Sequence, residues 1–502
     1  MTLDFSRQLH YVWALMPEIV LSIWGIGVLL AGARPPRGDV ATDDEWLGWM
    51  SLIGVALAAA ANGWLHGVTE VGTSAMVATD GVRLFANWVI LLALALGILT
   101  SLDYVSRQRL QAAEFYGLML FSAVGMMTMA GTRDLMLMFI GLEVMSIAIY
   151  VLAAFNRRDR RSAEAGLKYF LLGAFSSGFF LYGVALVYGA VGSTNLEVVG
   201  ASLAAGTANR GLLTLGAVML AVGFGFKVSL VPFHMWTPDV YEGSPTPVTA
   251  FMSAAVKATA FIAFLRVFTT AFGGMAETWH SVLWWLAALT MVGANLMALA
   301  QSNVKRMLAY SSVAHAGYLL VAIVALNETA AAALLFYVFV YTVMNLGAFA
   351  VVIAVSHHGE ERLRIEDYAG FGWQQPALAV FLTVFLLSLA GFPGTGGFMA
   401  KVYLLLGARD AELWTLAVLL VLTTIASYWY YLRLAWTMWM REGRSPDTHR
   451  SVFAPLSMRF ALAAAVILIL LSGLFPGAAL EVAGRSVAQW GAQAFPVPGL
   501  GQ

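Results

Sequence analysis

Apolar runs of about 20 residues, each long enough to cross the hydrocarbon of a bilayer as one α-helix, make up most of this chain. They begin near Tyr11, Trp46, Asp80, Glu114, Asp134, Gly166, Gly211, Pro247, Trp279, Met307, Thr329, Pro376, Ala411 and Pro455. That pattern predicts about fourteen transmembrane helices joined by short connections. Residues are 60% hydrophobic and only 11% charged, whereas a soluble domain carries about 25% charged residues. The fold class is therefore an all-α polytopic membrane protein. No connection is long enough for a soluble catalytic domain. The first run has Arg7 ahead of it and Ala31-Gly-Ala at its end, as a signal peptide would. Its apolar stretch is too long for that and contains Glu18, so it reads as a helix.

Formal net charge is zero, which points to neither nucleic acid nor a polyanionic partner. There is no cysteine, so iron–sulfur ligation, cysteine-bound zinc, thiol chemistry and disulfides are excluded from this chain. Eight histidines are present, without an H-x-x-x-H pair to argue for haem or metal. His357 and His358 are adjacent in a polar connection and read as solvated.

Lysine usage is the most informative feature of the composition. Lysine and arginine total 28, yet only five are lysine: Lys168, Lys227, Lys257, Lys305 and Lys401. Of these, only Lys305 reads as a loop residue. Arginine keeps its proton in a protein, whereas a buried lysine can release one near neutrality. An ammonium at the bilayer centre costs roughly 2.5 to 3.5 kcal/mol on insertion scales and usually faces a bundle interior or a wet cavity. Arginine at the surface and lysine in the apolar runs is the pattern expected of a proton path. Conversion of lysine to arginine by base composition would also deplete lysine, but it should have spared those in loops.

Basic residues also orient the chain. Odd-numbered connections carry Arg34, Arg37, Arg107, Arg109, Arg157, Arg158, Arg160, Arg161, Lys305, Arg306, Arg362, Arg364, Arg441, Arg444 and Arg450; even-numbered ones carry Arg133, Arg210 and Arg409. The positive-inside rule then puts the odd connections in the cytoplasm and both termini on the periplasmic side of a bacterial inner membrane.

Spacing shows a weak internal repeat. Glu143 and His315 are 172 residues apart, and Lys227 and Lys401 are 174 apart. Each of these lysines follows a Gly/Phe-rich approach, GFGFK or GGFMAK, beside a proline, Pro232 or Pro393. Proline removes a backbone donor and clashes with the carbonyl four residues earlier, breaking the helix. Freed carbonyls at membrane depth are tolerated only within protein or beside water. A unit of five helices must invert on repetition, so helices 4–8 and 9–13 are expected as inverted repeats with helices 7 and 12 broken. The divisions are 1–110 (three helices), 111–275 (first repeat), 276–442 (second repeat) and 443–502 (helix 14 and a short, weakly patterned tail).

Candidate proton-transfer residues follow from titratable groups in apolar text. Lys227 and Lys257 flank the first break, and Lys257 lies too deep to snorkel to an interface. Glu143, mid-helix in GLEVMSIAIY, needs a partner, for which Lys227 is the candidate. Lys168 and Glu164 are four apart at a helix start, which suits either a surface pair or a relay. His234 can titrate near neutrality or be a satisfied core histidine. Ser311, His315 and Tyr318 share a helix face, which can hold a water chain or glue helices together. Arg266 and Arg433 read as helix-end or field-setting charges.

GFGFKVSLVPFHMWTPDVYEGSPTPV, YSSVAHAGY and GFPGTGGFMAKVY resemble the signatures of the antiporter-like membrane subunits of proton-pumping NADH:quinone oxidoreductase, respiratory complex I. Those subunits are related to subunits of multi-subunit cation/proton antiporters. The resemblance covers essentially the whole chain and is nearest the N type: Lys401 stands where the M type has glutamate, and the long lateral helix of the L type is missing. It implies fourteen helices with two inverted five-helix bundles, and Glu143 and Lys227 as an ion pair gating the first half-channel. Lys168 and Lys257 would continue a polar axis, Lys401 would serve the second half-channel, and His234 and His315 match positions within it. It further implies that flavin, iron–sulfur clusters and quinone belong to partner subunits. The partners implied are a neighbouring antiporter-like subunit, small membrane subunits and the bilayer. Redox-driven proton translocation is the first reading. An antiporter subunit without redox coupling is the second, and a scaffold filling the membrane arm is the third.

Overall fold

The computed structural model describes residues 12–33, 45–67, 76–356, 362–442 and 454–490. The expectations for Arg7, Arg34, Arg37, His357, His358, Arg444 and Arg450 lie outside these residues. Among the described residues the regular elements are helices, with three isolated bridges, Val77–Thr132, Asp134–Asn195 and Asn303–Arg364, tying connections together. In chain order they are α1 (Met16–Gly32), α2 (Glu45–Leu65), α3 (Gly81–Arg107), α4 (Ala112–Ala130), α5 (Leu135–Ala153), α6 (Arg160–Val191), α7 (Leu196–Ala204), α8 (Arg210–Val228) and α9 (Thr237–Gly243). There follow α10 (Thr246–Thr270), α11 (Ala276–Leu299), α12 (Val304–Ala325), α13 (Glu328–Val355), α14 (Pro376–Ala390), α15 (Gly396–Asp410), α16 (Trp414–Met440), α17 (Leu456–Leu474) and α18 (Gly477–Trp490).

Twelve of these helices are long and apolar enough to cross a membrane, and α1 and α14 are shorter apolar helices. With α14 and α15 as the halves of one interrupted span, the order matches the apolar runs of the sequence. The starts are set by side-chain caps that accept the unpaired first-turn amides. Asp80 takes Arg83 N, Asp134 takes Met136 N and Leu137 N, Asn209 takes Leu212 N, Asn303 takes Arg306 N and Asn327 takes Ala330 N. α6 begins at Arg160 rather than Gly166 because Asp159 caps it, accepting from Arg161 N at 2.9 Å.

Both expected interruptions are present. α8 stops at Val228, Ser229 turns left-handed at φ 65°, and Pro232 lies in the non-helical stretch before α9. Carbonyls freed there are taken within the protein: Gly225 O by Leu230 N, and Phe226 O by Ser229 N and the Trp236 indole. Val231 N donates to Thr290 Oγ1 of α11 at 3.0 Å. α14 stops at Ala390, and Gly391, Phe392, Pro393, Gly394 and Thr395 lead into α15.

α10, α12 and α13 are almost wholly buried and form the centre, whereas α2, α6, α16 and α17 turn much of their surface outward. α4 packs along α5 and α6 along α8; α11 packs along α12 and α13 along α15. The tail differs from its sequence reading. Residues 477–490 form α18, a short amphipathic helix that rests Ala483, Ser486 and Val487 on α3 and α13. Its apolar positions, too few for a span, escape a search for twenty-residue runs.

Candidate functional site

Four lysines and one histidine are withdrawn from the surface: Lys227 is 2% exposed, Lys257 2%, Lys305 0%, Lys401 4% and His315 1%. Cations in such places need compensation, and the fold supplies it mainly through hydroxyls, carbonyls and rings.

Lys227 lies in the last turn of α8, where the peptide dipoles end negatively. Its Nζ donates to Ser146 Oγ at 2.7 Å and Tyr150 Oη at 3.1 Å, both on α5. It also lies 5.1 Å from the Tyr150 ring centroid and 5.6 Å from that of Tyr169, within the range of a cation–π attraction. Tyr169 stacks on Trp236 of the break at 4.3 Å. The expected pairing with Glu143 is not formed. Glu143 is half-buried one turn before Ser146, with Oε1 buried and unbonded and without an ion pair among the described residues. Ser146 and Tyr150 occupy the ammonium instead.

Lys257 follows a π-helical turn, Met252–Val256, which shifts the register of the side chains after it. Its Nζ donates to both the carbonyl and Oγ of Ser312 on α12. Tyr341 Oη of α13 donates to the same Ser312 Oγ at 2.8 Å. On the π turn itself, Ser253 Oγ accepts from Asn345 Nδ2 at 2.6 Å.

Lys401 reaches back across the second break. Its Nζ donates to Leu389 O at 3.2 Å and Ala390 O at 3.0 Å, two carbonyls that the end of α14 leaves without helical donors. The ammonium also lies 5.0 Å from the Tyr318 ring.

His315 bridges the two. Its Nδ1 is hydrogen-bonded to Tyr337 Oη at 2.6 Å, its Nε2 is 3.3 Å from Tyr431 Oη, and Tyr431 meets Ser311. Its ring is 5.2 Å from that of Tyr341, which bonds the Ser312 that holds Lys257, and 5.5 Å from that of Tyr318, over which Lys401 lies. From Lys257 through Ser312, Tyr341, His315 and Tyr318 to Lys401 there is thus a continuous run of polar and aromatic groups. From Lys227 an aromatic run continues through Tyr169 and Trp236 to Tyr241.

The other sequence candidates sit elsewhere. Lys168 is bonded to Glu164 at 2.8 Å and Asp239 at 2.7 Å, in a partly open cleft where Arg306 also binds Asp239 and Glu242. Burial works to raise the Asp239 carboxyl, but its bonds to Lys168 and Arg306 outweigh this and hold it below the ordinary carboxylate range. His234 is partly buried in the break beside Tyr310, its Nδ1 unbonded, and is not joined to the axis. Lys305, read as a loop residue, is the second residue of α12 and donates to Ser244 O at 2.9 Å and Thr246 Oγ1 at 3.2 Å. A boundary drawn from hydropathy misplaces it because a polar cap, Asn303, opens a buried helix.

Arg266 forms a two-pronged, buried pair with Asp80, at 2.6 and 2.8 Å. Burial alone would raise the Asp80 carboxyl; Arg266, with the Arg83 amide and Arg133, lowers it overall. Arg83 binds Glu18 at 2.8 Å, fastening α1 to α3. Arg433 reaches Gln301 O at 3.3 Å from an exposed position. Sequence reasoning passed over Ser312, Tyr337, Tyr341, Asn345 and Tyr431. The recurrence of 337, 341 and 345 at helical spacing was the available signal. Among the described residues no group of histidine, aspartate and glutamate is arranged to hold a metal ion.

Residues 132–427 match the family described as NADH:quinone oxidoreductase/Mrp antiporter, TM. The chain is 46% identical over 477 residues to NADH-quinone oxidoreductase subunit N of Trichlorobacter lovleyi, covering 94% of this chain and 96% of the relative. A chain of respiratory complex I from Thermus thermophilus superposes with a TM-score of 0.78 at 37% identity, over 93% of this chain and 99% of that one. A chain of the Mrp complex from Dietzia superposes at 0.80 over 96% of this chain and 97% of that one; at 21% identity this likeness concerns the fold alone.

Proposed function

This chain belongs to the transmembrane family of NADH:quinone oxidoreductase and Mrp antiporter subunits, and from that premise we propose that it is the proton-translocating, N-type membrane-arm subunit of an NADH:quinone oxidoreductase. The oxidoreductase activity belongs to the assembly. We assign flavin, iron–sulfur clusters and quinone to partner subunits; the lack of cysteine supports this for the clusters. Its partners are other membrane-arm subunits: a neighbouring antiporter-like subunit and small membrane subunits.

The observation that carries the reading is the run from Lys257 through Ser312, Tyr341, His315 and Tyr318 to Lys401. Each lysine is held by groups that accept hydrogen bonds without fixing a counter-charge, so its proton can leave without stranding a carboxylate. We assign Lys227, Lys257, Lys401 and His315 to proton transfer, and Glu143 to sensing charge or shape changes next door. Lys168 would collect protons at the cleft, and His234 would act when the break rearranges. Pro232 and Pro393 keep the breaks open. The pairings α4–α5 and α6–α8, echoed by α11–α12 and α13–α15, support reading 111–275 and 276–442 as inverted repeats. The arginine distribution supports a bacterial inner-membrane location with both termini periplasmic.

An antiporter without redox coupling would use the same lysines; identity to N-type relatives favours the coupled enzyme. Affinity purification of the tagged chain tests this. Co-purification of NADH:quinone oxidoreductase activity that acidifies vesicles supports the reading, and a preparation that exchanges sodium for protons and leaves NADH untouched refutes it.

A further inference from the structure

We propose that the groove between α5 and α6 is a binding site for one anionic phospholipid. It is a crevice of about 370 Å³ lined by Ile147, Val151 and Phe170, by the buried Tyr150 and by the exposed Arg157. Ile147 is 56% exposed and Phe170 50%, so the walls are apolar and open sideways. Reading along α5, the apolar part starts about 9 Å before the helix ends at Ala153, and Arg157 stands just beyond that end.

Charge complementarity selects the occupant. The guanidinium groups of Arg157, Arg158, Arg160 and Arg161 take no side-chain ion pair among the described residues. The one carboxylate between them, Asp159, caps α6 by accepting from Arg161 N. An apolar crevice lined by the exposed Arg157, with Arg158 and Arg160 in the same connection, matches an anionic phospholipid along the membrane normal: tail on Phe170 and Ile147, phosphate on Arg157. The orientation proposed above puts Arg157 at the cytoplasmic headgroups; the lipid contact itself does not depend on proton pumping. Seated there, the chain would cover Tyr150, whose hydroxyl holds Lys227 at 3.1 Å, and would close the flank of that ammonium.

The test uses the intact detergent-purified complex, delipidated and titrated with phosphatidylglycerol or phosphatidylcholine, with bound lipid read by native mass spectrometry. Phosphatidylglycerol should bind in preference. Arg157→Gln should weaken it about fivefold, the worth of one basic residue near a lipid surface, and Arg157→Lys should largely restore it. A photoreactive benzoylphenylalanine in place of Phe170 should label phospholipid. Equal binding by wild type and Arg157→Gln, no preference for phosphatidylglycerol, or capture of a protein subunit from position 170 would each overturn the proposal. These readouts need no turnover, so they stay distinct from failure of the pumping role.

Discussion

Two glycines in the second break separate backbone strain from support of Lys401. Gly391 and Gly394 have nearly the same left-handed backbone, φ 86° and 88°. Alanine at either costs about 1–2 kcal/mol from that conformation. Their surroundings differ. A Cβ on Gly391 would sit 3.0 Å from Lys401 Cδ and 3.3 Å from Nζ, whereas one on Gly394 would meet only Leu474 Cδ2 at 3.9 Å. Gly391→Ala therefore forces the Lys401 side chain to give by a few tenths of an ångström, at the expense of its bonds to Leu389 O and Ala390 O. A hydrogen bond to a charged group contributes about 1.5–3 kcal/mol, so losing one shifts the protonation equilibrium of the lysine by roughly tenfold or more, which proton transfer through it should register. The assay is NADH-driven acidification of inverted vesicles, normalised to assembled complex on native gels. Both variants should assemble, and Gly391→Ala should pump at least about tenfold more slowly than Gly394→Ala. Equal pumping by the two would refute the claim that carbonyl support of Lys401 matters.

Ser312→Ala removes the hydroxyl shared by Lys257 and Tyr341 and should cut pumping about tenfold with Ser312→Thr largely preserving it, read in the same vesicles. Asp80→Asn leaves buried Arg266 uncompensated, at a cost of about 3–5 kcal/mol, so immunoblots of membranes should show much less chain than for a substitution at exposed Arg433. Because the folded Asp239 carboxyl titrates below its unfolded value of about 3.9, its contribution is present above that value and lost as pH falls through the lower folded one. Asp239→Asn should flatten that acid limb in thermal-shift scans across pH 2–5, a range set by the ordinary carboxylate value.

The spans were legible because hydrocarbon imposes length and apolarity on every crossing segment. The breaks were legible too, since Pro232 and Pro393 leave a mark in the text. What lay beyond the sequence was pairing across helices. Charge alone pairs Glu143 with Lys227, while in three dimensions Ser146 and Tyr150, one and two turns further along the same helix, reach the ammonium. Tyr337, Tyr341 and Tyr431 were passed over because tyrosine in apolar text serves interfaces and cores as readily as relays. Hydropathy puts Lys305 in a loop because it sees polarity near Asn303 and cannot see that the helix it opens is central.

The claim on which the account depends is that protons are released and retaken by these buried ammonium groups during turnover. Proton-to-electron stoichiometry of reconstituted complex bearing Lys227→Arg measures this most directly, since arginine keeps the charge and withholds the proton. The account expects normal assembly with protons moved per NADH falling well below wild type. Wild-type stoichiometry in that variant would contradict it.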